Sequence, residues 1–110
     1  MVVIHIVLFQ FQSGLATEVV DQACKSVLAL KHRCIHPHTG NPYIVSFRGG
    51  KDHSPENKQH GISHGFVAEF ESLADRDYYV SQDPVHLGLG KELDPLVEKV
   101  LVVDLTGDVV

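Results

Sequence analysis

The alternation of apolar and polar positions along the chain predicts four strands and two principal helices. Residues Val2 to Gln12 read VVIHIVLFQFQ, a run of β-branched and aromatic residues stopped by Ser13-Gly14, and predict a strand. Val3, His5, Val7, Phe9 and Phe11 share one face of it and Val2, Ile4, Ile6 and Leu8 the other, so both faces are apolar and both need cover. From Thr17 to Cys34 apolar residues recur at Val20, Ala23, Cys24, Val27 and Leu28, the spacing of a helix with one buried stripe. Turn formers from His36 to Pro42 lead into a second strand, Tyr43 to Arg48, closed by Gly49-Gly50, and a polar loop follows from Lys51 to His60. A third strand runs from Ile62 to Phe70, with Ile62, His64, Phe66, Ala68 and Phe70 on one face and Val67 on the other. Ser72, with Asp75 three positions on, resembles a capping box and opens a second helix through about Ser81. Asp83-Pro84 reads as its stop, a short helical stretch follows His86, and a fourth strand spans Val100 to Leu105.

This β-α-β-β-α-β order is that of the ferredoxin-like unit, an α+β fold in which both helices pack on one face of an antiparallel sheet. Two short helices cannot cover the second face as well. The pattern therefore predicts that the face bearing Phe9, Phe11 and Phe66 beside the histidines meets another sheet, in a homodimer whose sheets curl into a shared barrel. The 110 residues are expected to form one domain, 1–110.

Composition narrows the partners. Nine Lys and Arg against fourteen Asp and Glu give a net charge of −5 without any basic run, so nucleic acid is not expected to bind. No apolar stretch approaches the roughly 20 residues that span a bilayer, and the apolar start lacks a basic leader, which predicts a cytoplasmic protein without membrane contact. Cys24 and Cys34 fall in one predicted helix, about 15 Å apart along its axis, beyond disulfide reach.

Eight histidines are the candidate chemistry. His36, His38, His53 and His60 lie in polar loops and read as surface; His36-Pro37-His38 has no third ligand near it in sequence, so no metal is expected. His32 suits the C-terminal end of the first helix. His5, His64 and His86 differ, because each sits among apolar residues. One such histidine reads as a packed imidazole, but three together suit proton transfer near neutral pH, with Tyr78 and Tyr79 as nearby hydroxyl donors.

Several segments carry a resemblance: His5-Ile6-Val7-Leu8-Phe9-Gln10-Phe11, Gly50-Lys51-Asp52 with Asn57-Lys58, Gly61 with Ser63-His64, Phe70-Glu71-Ser72, and Asp77-Tyr78-Tyr79 running into Asp83-Pro84-Val85-His86-Leu87-Gly88. Over essentially its whole length the chain resembles the stress-responsive α/β-barrel domain family, the dimeric α+β barrel proteins. The resemblance is strongest toward members that cyclise a linear poly-β-keto thioester by aldol condensation. It implies a homodimer with a small-molecule substrate, His86 as general base and Tyr79 as its orienter or as a hydrogen-bond donor to a carbonyl. His5 and His64 then line the site, with Phe9 and Phe66 as substrate-contacting neighbours. Such chemistry needs only removal of a proton beside a carbonyl, so no cofactor is expected. Two other readings accompany it: a non-catalytic, stress-responsive stable dimer whose histidines fill the barrel, and a cofactor-free monooxygenase. The chain departs from the family in having Asp83-Pro84-Val85-His86 where a His-Pro-x-His is common, and in a longer loop from His36 to Pro42. Asp83 is expected to act only as a helix-ending turn residue.

Overall fold

The computed structural model describes residues 2–110. The elements in chain order are β1 (Val3–Phe11), α1 (Thr17–Arg33), β2 (Ile44–Lys51), β3 (His64–Phe70), α2 (Leu73–Ser81), α3 (Pro84–Leu93), a 3-10 turn (Asp94–Leu96) and β4 (Val97–Thr106). Helix α1 buries Ala23, Val27 and Leu30 and ends in Lys31, His32 and Arg33, cations that suit the negative end of its dipole. Helix α2 starts as its sequence predicts, with the Ser72 hydroxyl accepting from the Asp75 amide at 3.1 Å.

Strands β3 and β4 start at His64 and Val97 rather than at Ile62 and Val100, and two further differences from the sequence reading bear on packing. The amides of Gln82 and Asp83 both donate to the Tyr78 carbonyl at 2.9 Å and close α2. Asp83 then caps a further full helix, its carboxylate accepting from the Val85 amide at 2.9 Å with Pro84 in the first turn. The third helix thus begins before His86, and Asp83 is a buried cap rather than only a stop. Strand β2 also continues through Gly49 and Gly50 instead of ending there. A Cβ on Gly49 would lie 2.2 Å from the Phe66 ring and 2.5 Å from the Gly65 carbonyl oxygen, so the glycine is there for close strand packing.

The four strands form one antiparallel sheet in the order β2-β3-β1-β4, with all helices on one face, the ferredoxin-like α+β fold. Directly paired residues share a face, so the register sets His5 beside Ala68 and Asp104, and Phe9 beside His64 and Val100. This is the face the helices cover: Val3, Phe9, Phe11, Phe66, Ala68 and Phe70 pack with Ala23, Val27, Leu30, Tyr79, Leu89 and Leu93 in one core.

That placement corrects the expected interface. Phe9 and Phe66 are buried within the subunit, and Phe66 retains only 1% of its surface. The face left open carries Ile4, Ile6 and Leu8 of β1, Val67 of β3, and Leu101, Val103 and Leu105 of β4. Val103 pairs with Ile6 and Leu101 with Leu8, so the exposed apolar side chains are contiguous. Among the described residues no helix is long and apolar enough to cross a membrane.

Candidate functional site

Between the helix-covered face of the sheet and helices α2 and α3 lies a cavity of about 720 Å³. Its wall combines apolar and charged groups. Phe9, Val27, Leu30, Leu89, Leu93 and Val97 make an apolar interior, Val100 and Val102 line the side formed by β4, and Arg76, Asp77, Asp94, Glu98 and Lys99 supply charged groups. His5, Tyr79, His86 and Asp104 meet on this wall.

His86 sits in the first turn of α3 because Asp83 starts the helix three residues earlier. Its Nδ1 lies 2.8 Å from the backbone carbonyl oxygen of Tyr79, and since a carbonyl only accepts, Nδ1 carries the proton and Nε2 is left as the basic nitrogen. The imidazole also stacks on the Tyr79 ring, with centroids 3.9 Å apart and planes 24° from parallel. Burial, helped by His5, lowers the His86 pKa below the ordinary histidine value, with the Tyr79 carbonyl and Asp83 acting in the opposite sense. The ring is therefore neutral at neutral pH.

His5 points from β1 toward the same cavity and retains 4% of its surface. Its Nδ1 lies 2.6 Å from Asp104 Oδ1, and Arg76 Nη1 donates to the other carboxylate oxygen at 2.7 Å. Arg76 Nε also donates to Asp77 at 2.8 Å, so the guanidinium is held from two sides. The outcome is a His5–Asp104–Arg76 chain spanning two adjacent strands and a helix. The Tyr79 hydroxyl keeps its proton, because burial first and then the neighbouring Cys34 and Asp83 raise its pKa.

A family model for the stress responsive A/B barrel domain matches residues 3–106. The chain belongs to this family. A crystal structure of an Arabidopsis thaliana protein is similar, with 30% identity, a TM-score of 0.83, and coverage of 98% of this chain and 97% of that one. The hydroxynitrile lyase of Passiflora edulis has 25% identity and a TM-score of 0.83, covering 99% of this chain and 96% of that one. A dimeric ferredoxin-like protein of unknown function from Jannaschia sp. CCS1 shares the fold at 24% identity and a TM-score of 0.75, covering 96% of this chain and 99% of that one. No curated protein sequence matches the chain.

Within this stress-responsive A/B barrel, the residues singled out from the sequence separate into two groups. His5, Phe9, Tyr79 and His86 line the cavity. His64 and Phe66 do not. His64 packs edge-on to Phe11 at 5.0 Å with Nδ1 2.9 Å from the Ser63 hydroxyl, and burial and Lys51 lower its pKa against the opposing charge of Asp21. Phe66 is enclosed in the core beside Phe9, at 5.7 Å between centroids. Sequence reasoning missed Asp104 and Arg76. Asp104 does carry a signal, a lone acid inside the apolar run Val100 to Leu105, but only the register shows that His5 is its neighbour. Cys24 and Cys34 are free thiols.

Proposed function

We propose that this barrel is a cofactor-independent lyase or cyclase in which His86 moves a proton at a carbonyl-derived small molecule, with a poly-β-keto chain as the first substrate class. The observation that carries the reading is the His86 ring: Nδ1 is fixed on the Tyr79 carbonyl, so the neutral Nε2 is free to take a proton at the wall of a largely apolar cavity. For a poly-β-keto substrate, Nε2 removes a proton from the carbon between two carbonyls. The enolate carbon then attacks a distal carbonyl, a carbon–carbon bond forms, and the alkoxide oxygen takes the proton back from the imidazolium. Tyr79 orients the base through its carbonyl and ring. His5 is held at the same wall by its bond to the Asp104 carboxylate, which fixes the orientation of its ring toward the substrate.

The similarity to a hydroxynitrile lyase favours a second substrate class using the same groups. There Nε2 takes the hydroxyl proton of a hydroxynitrile, the bond to the nitrile carbon breaks as the carbonyl forms, and the His86 imidazolium returns that proton to the departing cyanide as hydrogen cyanide. Incubation with a linear poly-β-keto thioester and, separately, with an aromatic hydroxynitrile distinguishes the two. Turnover of either by the native chain, abolished in His86→Ala, supports the reading, and a folded chain inert toward both defeats it.

The open sheet face is proposed as the homodimer interface. Its contiguous apolar residues, led by Ile6, Leu101 and Val103, suit a second copy of the same surface related by a twofold axis.

A further inference from the structure

Outside the cavity wall, next to His86 in the chain and the fold, lies a buried polar cluster that the proposed reaction does not use. Asp83 keeps 1% of its surface and Cys34 none. The Asp83 carboxylate accepts from the Tyr43 hydroxyl at 2.5 Å and from the Val85 amide at 2.9 Å. The Cys34 thiol lies buried close enough to the same carboxylate for Asp83 to add to burial in raising its pKa. Neither Asp83, Cys34 nor Tyr43 lines the cavity. A buried carboxylate is retained at a cost unless donors surround it, and here the donors come from two separate segments, the residue before β2 and the first turn of α3, with the buried Cys34 thiol after α1 packed nearby.

We propose that Asp83, Tyr43 and Cys34 are positioning residues, a buried clamp that fixes the turn between α2 and α3 and so keeps His86 Nδ1 on the Tyr79 carbonyl. Tyr78 accepts two amides to close α2, Asp83 opens α3 in the next step, and Tyr79 and His86 lie on opposite sides of this junction. The 2.8 Å bond between Tyr79 and His86 therefore depends on how the junction is held. Tyr43 holds it from outside both helices, with its ring packed against Phe70 and Tyr78. The clamp needs its donors protonated. Burial and Asp83 push the Cys34 thiol up to about 12, and burial with Asp83 raises the Tyr43 phenol as well. The loop between His36 and Pro42 acquires a role too, because it delivers Tyr43 to the carboxylate.

This assignment rests on His86 being the working base, but its test needs no substrate. Nitrogen-15 NMR of the imidazoles in the intact protein reads the His86 tautomer and titration directly. The groups that face His86 are Tyr79 from α2, His5 from β1, Cys34 from the end of α1 and Asp83 from its own helix. Asp83→Ala removes the cap and the clamp, and His86 is expected to become a mixture of Nδ1–H and Nε2–H forms. Asp83→Asn keeps a capping oxygen and removes the charge, so the Nδ1–H form persists while the titration midpoint falls. His64, remote from the cluster, keeps its midpoint in both variants. If Asp83→Ala does not fold, Tyr43→Phe, which deletes one hydroxyl and keeps the ring, carries the same expectation of a mixed tautomer. A His86 with unchanged tautomer and midpoint in every folded variant overturns the clamp, whatever the activity measurements give.

Discussion

His5 and Asp104 stand 99 positions apart in the sequence, yet His5 Nδ1 lies 2.6 Å from Asp104 Oδ1 because β1 and β4 pair in register at these two residues. The carboxylate has its second oxygen on Arg76, so it ties the imidazole to a helix as well as to the sheet edge. Asp104→Asn keeps the shape but weakens the bonds that hold the His5 ring and the Arg76 guanidinium in place. Turnover on a substrate identified for the native chain is expected to drop about 10- to 100-fold, as for other groups that orient and tune a working histidine. Steady-state kinetics with circular dichroism check it; unchanged kcat in the folded variant removes His5 from the reaction.

His86→Ala should remove nearly all catalysed turnover, whereas Tyr79→Phe keeps both features that hold His86, the backbone carbonyl and the stacked ring. The tyrosine variant is therefore expected to lose less in kcat than the histidine variant, with the fold intact. Parallel kinetics on the two proteins decide the matter, and a Tyr79→Phe loss as large as that of His86→Ala would transfer a main chemical role to the hydroxyl.

The acid limb of activity follows from the direction of the His86 shift. Burial lowers its pKa from the ordinary 6.5, so the base stays neutral to lower pH than a solvated histidine. Turnover should fall on acidification with a midpoint below 6.5, read from the pH dependence of kcat/KM. A midpoint above that value contradicts the assignment.

The same shift affects stability. His86 and His64 both have lowered pKa values when folded, so on acidification the unfolded chain binds protons first. Their contribution is fully present above the unfolded value near 6.5 and declines as pH falls through it toward the folded pKa values. Denaturant midpoints across this window should fall with pH, and His86→Gln should flatten the slope.

The two sheet faces predict opposite mutant behaviour. Val103→Lys places a charge on the open apolar face and should give a folded monomer where the native chain sediments as a dimer. Phe66→Ala on the covered face should instead cost about 3–5 kcal/mol of stability. Sedimentation and denaturant titration separate these effects; a native monomer at micromolar concentration ends the dimer proposal.

The amino-acid pattern determined much of this molecule by itself. Alternation in Val3 to Phe11 and the spacing in α1 gave element types, because side-chain direction along a strand or helix is a local property. The capping signal at Ser72 was local too, and so was the isolation of His86 among apolar residues. What the pattern could not decide was which face of β1 the helices cover, since both faces are apolar and either assignment satisfies the same alternation. The packing of α1, α2 and α3 settled it, placing Phe9 and Phe66 inside and Ile6 and Val103 outside. The site divided along the same line. His5, Tyr79 and His86 were legible from residue type and setting, but their partners were not. Asp104 reaches His5 through strand register, and Tyr43 reaches Asp83 across 40 positions, distances in sequence over which only the folded chain creates neighbours.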